Sequence, residues 1–196
     1  MGTLSAALLL FLVMDPIGNV PVFLPLLQKL TPARRRFVLA REMLIALGVL
    51  FVFLFAGDAL LGALQLKQES ISIAGGIILF LIGIRMIFPT PEGLFGDNPE
   101  GEPFIVPMAI PGVAGPSAMA ALLLMTNSEP GRTADWSLAL FAAWLATALI
   151  LLSSTYLFRW LGESVLTALE RLMGMLLVAI SVQMFLDGIV MYLGKS

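Results

Sequence analysis

The residues best placed to do chemistry sit where an apolar chain should not hold them. "LVMDPIGNVPVF" (12–23) puts Asp15, Pro16, Gly18, Asn19 and Pro21 inside a hydrophobic run that starts at Leu4. "VPMAIPGVAGPSAM" (106–119) interrupts another such run with Pro111, Gly115, Pro116 and Ser117. A carboxylate such as Asp15 can hold a proton, a metal cation or an ammonium group when it lies among apolar surroundings. Proline and glycine supply a different chemistry, that of exposed backbone. Proline removes one helical hydrogen bond and clashes with the preceding turn, at a cost of about 3 kcal/mol. In lipid the freed carbonyl groups cannot turn to water, so such backbone is tolerated only against protein or a wet cavity. Both interruptions are therefore expected to face an interior.

The two interruptions can be superposed. "PIGNVP" (16–21) lies on "PGVAGP" (111–116) with equal Pro–Pro spacing, and Ile110 stands where the first has Asp15. Pro21 and Pro116 each fit the first position of a new half-helix, with Gly18 or Asn19 near the cap in one case and Gly115 in the other. Two half-helix N-termini would then aim free N–H groups and positive dipole ends at the centre, where a carboxylate is favoured. Asp15 is expected at the C-terminal end of the preceding half-helix, beside exposed carbonyls, where a cation, a proton or an amine relieves it. One anion-seeking end and one cation-seeking end suit a zwitterion. The plainer alternatives are a kink that serves packing alone and an Asp15 that only caps a helix.

The elements that must hold these residues are membrane helices. Of the 196 residues 59% are hydrophobic and only 12% charged, with a mean hydropathy of +0.99; soluble domains carry about 25% charged residues. Runs of about 20 apolar residues mark spans. Six are expected: 3–28 and 104–125, both broken, and 43–64, 71–88, 137–158 and 172–193. Residues 3–14 are not read as a cleaved signal, since no positive segment precedes them and "MDP" follows. Lys29, Arg34, Arg35, Arg36 and Arg41 mark the first loop as cytoplasmic. With Arg159 and Arg171 the inside holds seven loop cations against three outside, Lys67, Arg132 and Lys195. Both termini are then periplasmic. If segments one and four were re-entrant, Arg132 and Lys195 would exchange sides with Arg159 and Arg171, and the count would again be seven to three. Full spans are preferred because both segments are long enough to cross.

A second correspondence joins "GIILFLIGIRM" (76–86) to "GMLLVAISVQM" (174–184), in which Gly76, Leu79, Ile82 and Met86 match Gly174, Leu177, Ile180 and Met184. The expected fold class is thus an all-α polytopic membrane protein, six transmembrane helices in two inverted three-helix repeats, residues 1–98 and 99–196. The acidic Pro/Gly linker 89–103 joins them. Inverted repeats with discontinuous helices place a site near the bilayer midplane. Secondary candidates are Asp58 and Asp187, near the outer ends of their helices, Arg85, near a cytoplasmic end, and Gln183. Arg41 with Glu42, and Glu170 with Arg171, read as interfacial charges. Gly75, Gly76 and Gly83 read as close helix packing, which also allows a homodimer.

At this point the residues resemble a known family. "MDPIGNVPVF" and "PFIVPMAIPGVAGPSAM" are similar to the two signature segments of the MarC family of bacterial inner-membrane proteins. "REMLIALGVLFVFLFAGD", "SISIAGGIILFLIGIRMIFP" and "ALERLMGMLLVAISVQMFLDGI" extend the likeness to about residues 8–192. The resemblance implies a six-helix inner-membrane protein, grouped with neutral amino acid transporters because one member carries glycine and alanine with an ion gradient. It carries over Asp15, Pro16, Gly18, Asn19 and Pro21, and Pro111, Gly115, Pro116 and Ser117, as signature positions.

The expected function is a secondary transporter of a small neutral amino acid, glycine- or alanine-like, or a related metabolite, coupled to H⁺ or Na⁺. No P-loop supplies ATP as a drive. The alternative is an exporter of drugs or other metabolites on the same fold. An intramembrane enzyme is the remote alternative: the chain has neither Cys nor His, which leaves only an Asp pair, so no enzyme activity, cofactor or metal is expected. A non-transporting scaffold lacks any exposed domain to support it. No basic, aromatic-interleaved patch suggests nucleic acid; the expected partners are the bilayer, a small solute and a coupling ion.

Overall fold

A computed structural model describes residues 2–27, 30–88, 105–154 and 163–194. The linker 89–103, Lys29, Arg159 and Lys195 lie outside the described residues. Among the described residues seven α-helices carry the fold: α1 (Thr3–Met14), α2 (Pro16–Leu27), α3 (Pro32–Ala63), α4 (Gln68–Ile87), α5 (Pro116–Ser128), α6 (Thr133–Ser154) and α7 (Glu163–Leu193). A π-type turn, Met108–Val113, precedes α5, and a short 3₁₀ turn, Pro130–Arg132, follows it.

Among the described residues five stretches are long and apolar enough to cross a membrane: Thr3–Leu24, Pro32–Ala63, Glu69–Ile87, Pro130–Ser154 and Arg171–Leu193. The first contains both α1 and α2. Each of these has 12 residues, about 18 Å of helix, too short for a hydrocarbon core of about 30 Å. The expected fourth span, 104–125, is not one helix. Its described part is the π-type turn followed by α5, which has 13 residues and runs on to Ser128.

That turn has a simple origin. In an α-helix Pro111 would have to donate to the Pro107 carbonyl, and it has no N–H. The chain steps to the next donor instead: Gly112 N–H bonds the Pro107 carbonyl at 3.0 Å, with Ile110 to Ile105 and Ala114 to Ala109 in the same five-residue register. Ile110 stays extended, at φ −130° and ψ 127°.

The directions of the helices follow from their contacts. Ile105 N–H donates to Glu42 at 2.8 Å, a Cβ at Gly57 would meet Leu123, and Asn127 donates to Asp58 at 3.3 Å. Residues 105–127 therefore run parallel to α3 from Glu42 to Asp58, about 24 Å at 1.5 Å per residue. Glu42 is 2% exposed and bonds Arg41 at 2.9 Å. It is thus an internal anchor for the start of the broken segment, not the interfacial charge expected from sequence. On the other side of the molecule α4 and α7 pack antiparallel. A Cβ at Gly83 would stand 2.9 Å from the Gly174 carbonyl oxygen, one at Gly174 would stand 2.9 Å from the Gly83 carbonyl oxygen, and one at Gly76 would stand 2.9 Å from that of Ser181. Only glycine lets two backbones come so near.

Two apolar cores result. The larger joins α1, α2, α3, α5 and α6 around Leu10, Met14, Leu39, Leu50, Leu122 and Trp136. The smaller, Met86, Met173 and Leu177, belongs to α4 and α7. Many large apolar residues elsewhere on the helices, Leu12, Phe55 and Leu124 among them, face outward, as a lipid-bathed surface requires.

Candidate functional site

Asp15 is the joint between α1 and α2. It adopts a left-handed conformation, φ 42° and ψ 62°, and its N–H bonds the Leu12 carbonyl, which closes α1. Its side chain then begins α2: Gly18 N–H donates to Oδ1 at 3.0 Å, the bond an N-cap carboxylate makes to the third helical residue. Pro16 takes the first helical position, where a missing N–H costs nothing. The second half-helix thus starts at Pro16, and not at Pro21 as the superposition suggests. Pro21 lies within α2, and the Ile17 carbonyl, four residues earlier, loses its helical donor. The positive end of α2 faces Asp15, so the carboxylate has a stabilising neighbour besides any cation. A Cβ at Gly18 would overlap the Asp15 carboxyl group, with Cγ 2.8 Å away, so a larger residue would displace that side chain.

Asn19 ties the two breaks together. Its Nδ2 donates to the Met14 carbonyl at 2.8 Å and to the Gly112 carbonyl at 3.2 Å. One carbonyl ends α1; the other lies in the π-type turn. Both amide hydrogens are engaged, and Oδ1 has no partner among the described residues. Met14 is fixed from the far side by Thr147 of α6, whose hydroxyl lies 3.7 Å from its sulfur.

The second break ends as expected. Gly115 is the N-cap of α5 and Pro116 its first residue. The first helical bond runs from Met119 to the Gly115 carbonyl at 3.0 Å. The N–H groups of Ser117 and Ala118 precede it and have no acceptor within the helix. A Cβ at Gly115 would stand 2.8 Å from the Pro111 carbonyl oxygen, and one at Gly75 of α4 would stand 2.9 Å from Pro116.

Both breaks open on one cavity of about 430 Å³. Asp15, Gly18, Asn19 and Pro21 line it from the first break, and Pro111, Gly112, Gly115, Pro116 and Ser117 from the second. Of the nine signature positions only Pro16 is not at its surface. Among the described residues, Asp15 is the one ionisable group in the lining. The secondary candidates lie elsewhere. Asp58 meets Asn127 between α3 and α5, Gln183 donates to Asp187 at 2.8 Å within α7, and Arg85 is exposed on α4. None of the four lines the cavity. Sequence reasoning missed the wall that α4 and α7 supply: Leu79, Met173, Leu176, Leu177, Ile180 and Met184. A signal for it existed, since Leu79 and Leu177 are matched positions of the second correspondence.

Comparison with known proteins identifies relatives. The model of the MarC family, described as an integral membrane protein family, matches residues 2–193. The UPF0056 inner membrane protein YhgN of Escherichia coli (strain K12) is 52% identical over 191 residues, 97% of each chain. A UPF0056 membrane protein of Buchnera aphidicola subsp. Schizaphis graminum is 50% identical over 186 residues, 95% of each chain. One from Aquifex aeolicus is 29% identical over 195 residues, 94% of this chain and 91% of that one. No solved structure matches. With a family model spanning almost the whole sequence and relatives near half identity, the chain belongs to the MarC family of integral membrane proteins.

Proposed function

We propose that this chain is a secondary transporter of the bacterial inner membrane that holds a small zwitterionic metabolite, a neutral amino acid or a close relative, between its two helix breaks. The observation that carries the reading is the convergence of eight signature residues, from segments about 95 positions apart, on one cavity. Asp15 offers a free carboxylate oxygen to an amine, a proton or Na⁺. The α5 N-terminus offers N–H groups and the Ser117 hydroxyl to a carboxylate. The inner-membrane assignment follows the Escherichia coli relative, which is named an inner membrane protein.

The same reading takes the chain as six crossings in two inverted halves. Antiparallel packing of α4 and α7 supports it, because re-entrant first and fourth segments would leave these two helices parallel. The 24 Å course of residues 105–127 beside α3 supports it as well: a dip and return would double back. The contact of Gly76 with Ser181 maps under the second correspondence onto that of Gly174 with Gly83, as a pseudo-two-fold axis across the pair requires.

Uptake of labelled neutral amino acids, from glycine and alanine to leucine and methionine, into proteoliposomes, with and without H⁺ and Na⁺ gradients, tests the function. Gradient-driven accumulation that Asp15→Asn abolishes in folded protein is the expected result. Accumulation untouched by Asp15→Asn would remove Asp15 from the mechanism, and none under any gradient would remove the amino acid.

A further inference from the structure

The cavity is divided by chemistry. Among the described residues, the polar side chains of its lining come from the breaks: the Asp15 carboxylate, the Asn19 amide and the Ser117 hydroxyl. The described side chains that α4 and α7 contribute are six, and all are apolar. Val13, Met14 and Val22 extend that surface from α1 and α2. At about 430 Å³ the space falls in the range of about 300–1,000 Å³ typical of sites for much larger ligands. A water molecule in the liquid occupies about 30 Å³. Glycine, with its handful of non-hydrogen atoms, would occupy the polar side and leave the apolar wall facing water or nothing. Three residues of this apolar surface, Met14 of α1 and Met173 and Met184 of α7, are unbranched thioethers that adapt to the shape of an apolar group.

Resting on the transport reading above, we infer that the preferred solute is an amino acid with a sizeable aliphatic or thioether side chain, of leucine or methionine size, and not glycine or alanine. Its ammonium and carboxylate groups meet the breaks. Its side chain lies against Leu79, Leu177, Ile180 and Met184. A single methylene in an apolar pocket discriminates by about 10-fold or more; leucine exceeds alanine by three carbons, so a preference of at least about tenfold follows.

The test is gradient-driven uptake of labelled leucine, methionine, alanine and glycine into proteoliposomes of the full chain. Wild type is compared with Ile180→Trp and Leu79→Trp, which fill the apolar side. Thermal unfolding in detergent, with and without each solute, checks folding and reads binding directly. The expected result is leucine and methionine uptake at least tenfold more efficient than alanine uptake. Both variants should shrink that ratio at least tenfold, and leucine should raise the unfolding temperature of wild type but not of Ile180→Trp. Uptake of alanine or glycine equal to or better than that of leucine overturns the size inference and leaves the transport reading standing. So does an equal fall for all four solutes in both variants. Accumulation of none of the four overturns both. Stabilisation by laurate and not by leucine assigns the cavity to an acyl chain and overturns the inference.

Discussion

Asn19 is the most exacting test of the linked breaks. Its amide nitrogen is shared between the Met14 carbonyl at 2.8 Å and the Gly112 carbonyl at 3.2 Å. Asn19→Ala removes both donors. A neutral hydrogen bond contributes about 0.5–1.5 kcal/mol net, and interhelical ones measured within membranes average about 0.6 kcal/mol. Two such bonds, one of them long and both beside a wet cavity, amount to about 1–2 kcal/mol. Asn19→Asp is the sharper substitution. It keeps the shape, but an ionised side chain brings oxygen and negative charge against two carbonyl oxygens, so it should destabilise more than alanine does. The assay is thermal or denaturant unfolding in one defined detergent, with circular dichroism to read helix content. The expected order of stability is wild type, Asn19→Ala, Asn19→Asp. Wild-type stability in Asn19→Asp, or Asn19→Ala within about 0.3 kcal/mol of wild type, would refute the claim that this amide holds the two breaks together.

Three further outcomes are expected. Gly83→Ala and Gly174→Ala should each destabilise by about 1–3 kcal/mol, the usual cost of overpacking, because a Cβ at either meets backbone at 2.9 Å. Gly48→Ala, with nothing within 4 Å, should be neutral or stabilising by about 0.5–1 kcal/mol, and unfolding in the same detergent measures all three. Glu42→Ala should cost about 1.5–3 kcal/mol for the lost charged acceptor of Ile105, with Glu42→Gln milder, and proteolysis near residue 105 should report the loosened segment. The natural chain has no Cys, so Gly131→Cys can be labelled alone in intact cells: reaction with an impermeant maleimide from outside fits six crossings, and reaction only after lysis fits re-entrant segments.

The sequence revealed the membrane class, the two breaks and the glycine packing for identifiable reasons. Apolar length reads directly as a span, and Pro and Gly in such a run need a protected place. Gly76 and Gly83 could be read because close approach has a single-residue signature. The start of α2 could not. Pro16 and Pro21 are equally good first residues on sequence, and only the Asp15–Gly18 bond decides between them. The π-type turn was hidden too, since its register depends on which donor reaches past Pro111 in three dimensions. Glu42 looked like one more charge in a basic loop; its burial comes from Ile105, 63 positions away. The wall from α7 was the largest omission. Leu176 and Ile180 match Leu172 and Met175 of the same helix both in type and in exposure, and only the position of the cavity against α4 and α7 tells them apart.

The reciprocal approach of Gly83 and Gly174 bears on descent. Under the proposed duplication, a three-helix ancestor inserted in both orientations would have paired with itself, and one glycine position would have served the contact on both sides. Any mutation there would have struck twice. Fusion of the two copies would have released that constraint. Gly76 and its image Gly174 are both glycine, while the image of Gly83 is Ser181, whose carbonyl oxygen a Cβ at Gly76 would approach to 2.9 Å. A fused chain can lose its symmetry one residue at a time, and Asp15 opposite Ile110 would express the same freedom at the site, with the charge in one half and the other half free to shape the space around it.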